Sequence, residues 1–147
     1  MTSREQFTFF HPLRVRWAEL DPQGIVFNAN YLMYFDIAMT EYMRGIGLLY
    51  QDYLKTFGTD IFAVNAGINF RASAVYDDEI DVGARVAQIG RTSVTFAMAV
   101  FRKDELLVDG SMIYVNADHA TKKTAPLPQP FLDRILAFER TAPERKN

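Results

Sequence analysis

"ELDPQGIVFNANYLMYFDIAMTEYMR", residues 19 to 44, joins a tight turn to a long apolar segment. Asp21, Pro22 and Gly24 crowd into the turn, and Asp-Pro followed by Gly is ordinary turn chemistry. From Asn30 the pattern changes. Tyr31, Tyr34, Phe35, Ala38, Tyr42 and Ile46 recur at spacings of three and four, which predicts a helix from Asn30 to about Ile46. Met33 and Met39 widen its apolar face, and Asn28 or Asn30 is placed to cap its first turn. A folded domain needs a turn here, but it does not need an acid in it. Asp21 is therefore either a turn residue or a chemical group, and spacing alone favours the first.

The flanking sequence supplies a sheet for the helix to cover. Residues 7 to 17 read as a strand, with Leu13, Val15 and Trp17 alternating against Arg14 and Arg16. Pro12 places that strand at an edge, or marks its start. "LLYQDYLKTFG" reads as a short second helix closed by Gly58. Four strands follow over residues 60–72, 79–89, 92–102 and 106–116, with "KDE" at 103–105 as a hairpin turn. A loop and a short helix over 129–140 end the pattern. Short connections predict an antiparallel meander for the four strands. Its apolar face must be covered, and only the Asn30–Ile46 helix is long and apolar enough. The expected fold is α+β: one domain over residues 1–147, core about 8–138, with a five-stranded antiparallel curved sheet wrapped around a long central helix.

Composition narrows the function. The chain has 147 residues, 49% hydrophobic and 23% charged, as in an ordinary globular domain. The net charge of -2, with no run of either sign, argues against nucleic acid and anionic membranes as partners. There are no cysteines, which excludes disulfides, thiolate nucleophiles and zinc–thiolate sites. No apolar stretch approaches a membrane span, and the first residues lack the pattern of a secretion signal, so a cytoplasmic protein without membrane insertion is expected. His11 and His119 have no metal-ligand spacing.

The run Asp21-Pro22-Gln23-Gly24-Ile25-Val26-Phe27-Asn28-Ala29-Asn30-Tyr31 resembles the motif of the hotdog-fold thioesterases. The branch it looks like is the 4-hydroxybenzoyl-CoA thioesterase-like group, which includes acyl-CoA thioesterases associated with the Tol–Pal system. "MTEYMR" at 39–44, "GRTSVTF" at 90–96 and "NADHATKKTAPLP" at 116–128 extend the resemblance, which covers roughly residues 10 to 138. It implies hydrolysis of an acyl- or aroyl-CoA to the free acid and CoA, with no metal or redox cofactor and with CoA present only as part of the substrate. It implies that Asp21 is the catalytic carboxylate, as nucleophile or general base. Backbone N–H groups near Asn28 to Tyr31 would polarise the thioester carbonyl, that of Asn28 foremost, and Gly24 would let the backbone approach the substrate. Tyr31 and the Arg91, Thr92, Ser93 turn are the implied substrate contacts, Arg91 toward phosphate. Lys122 and Lys123 are weaker candidates for the same task. A homodimer joined edge to edge, or a homotetramer of such dimers, is also implied.

Several readings stay open. Many relatives carry His or Tyr where this chain has Asn28, and Asn cannot titrate. A hotdog protein that binds acyl-CoA without chemistry, or serves as a scaffold, is one alternative. An acyl-thioester hydratase is another, although such enzymes rely on a His and none lies near Asp21 in the sequence. Glu41, deep in the helix, is either a second candidate acid or the partner of Arg44. The aromatic stripe of the helix is read as core in preference to an aryl-binding box.

Overall fold

The computed structural model describes residues 2 to 146. Five long strands form one antiparallel sheet: β1 (Phe9–Arg14), β2 (Thr59–Phe70), β3 (Glu79–Ile89), β4 (Ser93–Arg102) and β5 (Glu105–Asp118). A two-residue β6 (Glu144–Arg145) adds to β3 in parallel. The helix α1 (Asn30–Gly45) lies across the sheet, and the shorter α2 (Tyr53–Phe57) and α3 (Gln129–Phe138) pack at its margins.

α1 forms where the periodicity predicts it. Tyr31, Tyr34, Phe35, Ala38, Met39, Tyr42 and Met43 are buried along one stripe. Burial of each large side chain contributes roughly 1.5–3 kcal/mol. The stripe is narrower than expected, because Met33 faces outward with Leu32, 38% and 39% exposed. A single helix on a single sheet leaves its far side without a partner. The capping expectation also fails. Ala29 is the N-cap and no side chain caps the helix. Asn30 Nδ2 instead donates to the Glu19 carbonyl at 2.8 Å. Gly58 closes α2 as predicted, in the left-handed conformation at φ +75°.

The facing strands supply the other half of the core. Ile80, Val82, Ala84 and Val86 of β3, with Val94, Phe96, Met98 and Val100 of β4, are all at most 1% exposed. The strand order is β1-β3-β4-β5-β2. Only β3, β4 and β5 form the meander, so the prediction that all four late strands pair in sequence is corrected. β2 pairs with β5 on the far edge, and β1 takes the position beside β3. The reason lies in the connection over residues 71–78, which is no hairpin. Its Arg71 and Ala72 amides bond the Leu107 carbonyl, and its Ala74 carbonyl accepts the Val26 amide. It therefore runs across the end of the sheet beneath the segment that holds Asp21.

The first strand is shorter than its alternation predicts. It ends at Arg14, and Trp17–Glu19 turns into a single 3-10 helix. β1 covers β3 only as far as Ala84, and β6 covers Gln88 and Ile89. A gap is left around residues 85 to 87, and on its other side the sheet ends in β2, whose outer edge has no strand partner among the described residues. Along it residues 63 to 67 are all exposed.

Candidate functional site

Residues 19 to 30 fold into a small hairpin at the N-terminal end of α1. Leu20 and Val26 form an isolated antiparallel bridge. Beyond it the Asp21 amide donates to the Ile25 carbonyl at 2.9 Å, and the Gly24 amide to the Asp21 carbonyl at 2.9 Å. This is a three-residue hairpin loop whose last residue must be left-handed, and Gly24 has φ +79°. Asp at the first turn position, Pro at the second and Gly at the fourth are the residues that such a turn prefers. The local sequence therefore explains the shape, and the shape puts Asp21 at the tip.

Asp21 is half-buried there. Its Oδ1 accepts the Gln23 amide at 2.8 Å, so one oxygen serves the turn. The other oxygen bonds no described residue. The return arm then enters α1 through two successive turns. Asn30, Tyr31 and Leu32 give their amides to the carbonyls of Phe27, Asn28 and Ala29. The Tyr31 amide, expected within the donor set, is thereby occupied. The amides of Asn28 and Ala29 have no acceptor among the described residues, and both residues are exposed. A free carboxylate oxygen and two free N–H groups thus sit on opposite arms of one hairpin.

The base of the hairpin is held by a residue that the motif did not single out. Glu19 is 5% exposed. Its Oε1 accepts the Arg16 amide at 2.9 Å and the Tyr34 hydroxyl at 2.8 Å, and its Oε2 takes the Arg16 guanidinium through both Nε and Nη2. Its carbonyl accepts the Phe27 amide and Asn30 Nδ2. Burial opposes ionisation, but the bonds from Arg16 and Tyr34 prevail and hold the carboxyl below its ordinary range. Burial and the adjacent Glu19 carboxylate push the Tyr34 phenol well above its ordinary range, so it donates as a neutral hydroxyl. The only trace of this in the sequence is an acid three residues after an arginine, too common a spacing to read.

Exposed aromatic side chains flank the hairpin. Trp17 (73% exposed) packs edge-on against Tyr76 (53%), with ring centroids 5.3 Å apart, and Phe27 is 51% exposed. Val75, next to Tyr76, bridges to Ile25 of the return arm. Tyr31, expected to touch substrate, is 2% exposed. Its hydroxyl accepts the Ala74 amide at 3.2 Å, and its ring packs against Tyr34 and Phe70. Within the single chain its work is packing, and the aromatic stripe of α1 is core. Glu41 pairs with Arg44 at 3.0 Å, the structural reading of that acid.

Arg91, Thr92 and Ser93 form the β3–β4 turn. Their carbonyls accept the amides of Leu127, Asn116 and Gly90, which anchors the backbone. The Arg91 side chain is exposed and makes no hydrogen bond or ion pair among the described residues. This turn does not meet Asp21 within one chain. It lies at the start of β4, whereas the 71–78 connection beneath the hairpin receives Arg102, at the end of β4, through a bond to the Ser73 carbonyl. A strand of this length spans roughly 30 Å. The loop after β5 shares the end with Arg91. In it Lys122 Nζ sits 4.5 Å from the centre of the Phe62 ring, and His119 stacks on the same ring.

A charged cleft of about 800 Å³ opens between β1 and residues 77–81, but it contains none of the predicted site residues. Its Arg14, Asp77, Glu79, Asp78 and Arg102 are already matched in ion pairs. Among the described residues no cluster of His, Asp or Glu could hold a metal, and no helix is long and apolar enough to cross a membrane.

Comparison with known proteins agrees with the fold. The family model for the thioesterase superfamily matches residues 23–108. The acyl-CoA thioesterase YbgC of Haemophilus influenzae is 25% identical over 82% of this chain and 89% of its own. A Pseudomonas aeruginosa protein of known crystal structure is 27% identical with a TM-score of 0.83, covering 95% of this chain and 97% of that one. A Thermus thermophilus thioesterase, crystallised with coenzyme A and zinc, is 28% identical with a TM-score of 0.78, covering 92% and 96%. A curved hotdog sheet around one long helix and a family match over more than half the sequence lead to one conclusion: this chain belongs to the thioesterase superfamily.

Proposed function

We propose that this protein hydrolyses acyl- or aroyl-CoA thioesters with Asp21 as its catalytic carboxylate. The observation that carries this reading is the pairing of the free Asp21 oxygen with the unpaired Asn28 and Ala29 amides across one hairpin. A thioester needs both. The carboxylate either attacks the acyl carbon, expelling CoA thiolate and leaving an anhydride for water to open, or takes a proton from the attacking water. The amides receive the oxyanion that forms on the carbonyl, and their place at the mouth of α1 adds the helix dipole. Trp17, Phe27 and Tyr76 offer apolar surface beside the reacting centre, as an acyl or aroyl group requires.

The open β2 edge supports a dimer. A bare edge strand invites pairing, and Val64 and Phe70 expose 59% and 51% of their surface on it. Two-fold antiparallel pairing of β2 with its copy would set the Thr59 end of one chain beside the Phe70 end of the other. The Arg91 turn and the Lys122 loop of the second copy would then stand on the same side as Asp21, within reach of the CoA phosphates. A monomer in sedimentation equilibrium would overturn this arrangement.

The reaction is tested by thiol release from benzoyl-, short-chain and long-chain acyl-CoAs, and the cysteine-free chain adds no background to a thiol-reactive dye. Asp21→Asn keeps an acceptor for the Gln23 amide, so it folds normally, while turnover falls by about 10³-fold or more. Wild-type-like turnover in that variant sinks the assignment of Asp21.

A further inference from the structure

Glu19 combines features that packing does not require. A carboxylate at 5% exposure is costly to bury, and an apolar side chain of similar volume is often as stabilising in such a place. What an apolar side chain cannot supply is direction. The Glu19 side chain ties the outgoing arm, through Arg16, to the second turn of α1, through Tyr34. Its carbonyl ties in the return arm, through Phe27, and the first residue of α1, through Asn30. The outgoing arm, the return arm and the start of α1 therefore meet at this one residue. Asp21 follows two residues later on one arm, and Asn28 and Ala29 follow Phe27 on the other.

We infer that Glu19, gripped by Arg16 and Tyr34, is a positioning residue that sets the Asp21 carboxylate against the Asn28 and Ala29 amides. This inference rests on the thioesterase reading of the same hairpin. Glu19 touches no reacting atom. It acts through geometry, and reacting groups displaced by about 1 Å can lose about a hundredfold in rate. Arg16 neutralises the buried charge from the solvent side, its own side chain 68% exposed. Tyr34, fully buried in α1, supplies the fixed point.

Two variants test this. Glu19→Gln preserves an acceptor for Tyr34 but turns an N–H group toward the Arg16 fork. Tyr34→Phe removes one hydroxyl and keeps the ring. Each should lower kcat about tenfold or more with KM for the acyl-CoA within about threefold, because the site is misaligned and not removed. The double variant should cost less than the product of the singles, since both cut one network. A second readout does not depend on activity. In Glu19→Gln the amides of Asp21, Gly24 and Phe27 should exchange with deuterium about tenfold faster or more, while those of β4 keep their protection. Unchanged kcat in both variants, or equal exchange of the hairpin in wild type and variant, overturns the inference. Absence of turnover in wild type would overturn the thioesterase reading instead, and the exchange data would still decide whether Glu19 holds the hairpin. If Glu19→Gln does not fold, Tyr34→Phe carries both measurements.

Discussion

Two buried glutamates, at opposite ends of the molecule, behave in opposite ways. Glu19 and Glu139 are 5% and 8% exposed. Glu19 meets a guanidinium and a hydroxyl, and its carboxyl is held below the ordinary range. Glu139, at the end of α3, meets no cation at hydrogen-bond distance among the described residues. Its Oε2 accepts the Tyr42 hydroxyl at 2.7 Å and the Val86 amide at 2.9 Å, in the gap where neither β1 nor β6 covers β3. Its Oε1 is buried without a partner. Burial outweighs those two bonds and the nearby Arg85 and Arg140 charges, and raises the carboxyl above its ordinary range. Their surface exposure is similar, but Glu139 is more deeply desolvated and lacks a bonded cation, so burial wins there, while the bonds from Arg16 and Tyr34 win at Glu19. One acid is held toward its charged form beside a candidate active site, and the other, pushed toward its neutral form, is a plug that joins the C-terminal helix to the core.

The largest effect in this comparison is expected from Glu139→Ala. It strips the acceptor from Tyr42 and Val86 and leaves a cavity, which should cost about 2–3 kcal/mol in urea unfolding at pH 5. A loss below about 0.5 kcal/mol would show that water replaces the carboxyl and that the plug is unimportant.

The next effect separates the two acids by sign. The native Glu139 carboxyl titrates above its unfolded value, near 4.5, so its contribution is complete below that pH and is lost as pH rises through the native value. Glu139→Gln should therefore flatten the decline of stability on the alkaline side of pH 4.5. Glu19 titrates below its unfolded value, so its contribution is present above pH 4.5 and is lost as pH falls through the native value. Glu19→Gln should flatten the acid limb alone. Thermal midpoints across pH 3 to 8 check both, and curves that change on the same limb would break the contrast. The smallest effect belongs to an acid with water around it. Glu41→Ala, which removes the exposed pair with Arg44, should change stability by no more than about 0.5 kcal/mol.

The legible features are local ones. The hairpin tip could be read because Asp, Pro and Gly at their turn positions determine its hydrogen bonds within four neighbouring residues. α1 could be read because its buried stripe repeats every three or four residues, and β3 and β4 because their apolar residues alternate. The misreadings follow from distance. β2 looked like the neighbour of β3 because it precedes it, but nothing in its alternation names a partner. Met33 has the hydrophobicity of a core residue, yet it lies off the stripe that the sheet covers.

The sequence by itself determined the elements, the turn that presents Asp21, and the resemblance that marked Asp21 as the acid, since all of these are written in short-range spacing. Only the tertiary structure decided which amides at the mouth of α1 stay free, that Arg91 stands at the far end of the sheet from Asp21, and what each buried glutamate meets. Tyr42 reaches Glu139 across 97 residues, and Tyr34 reaches Glu19 across 15. Such meetings depend on how helix and sheet pack, and packing is a property of the whole chain.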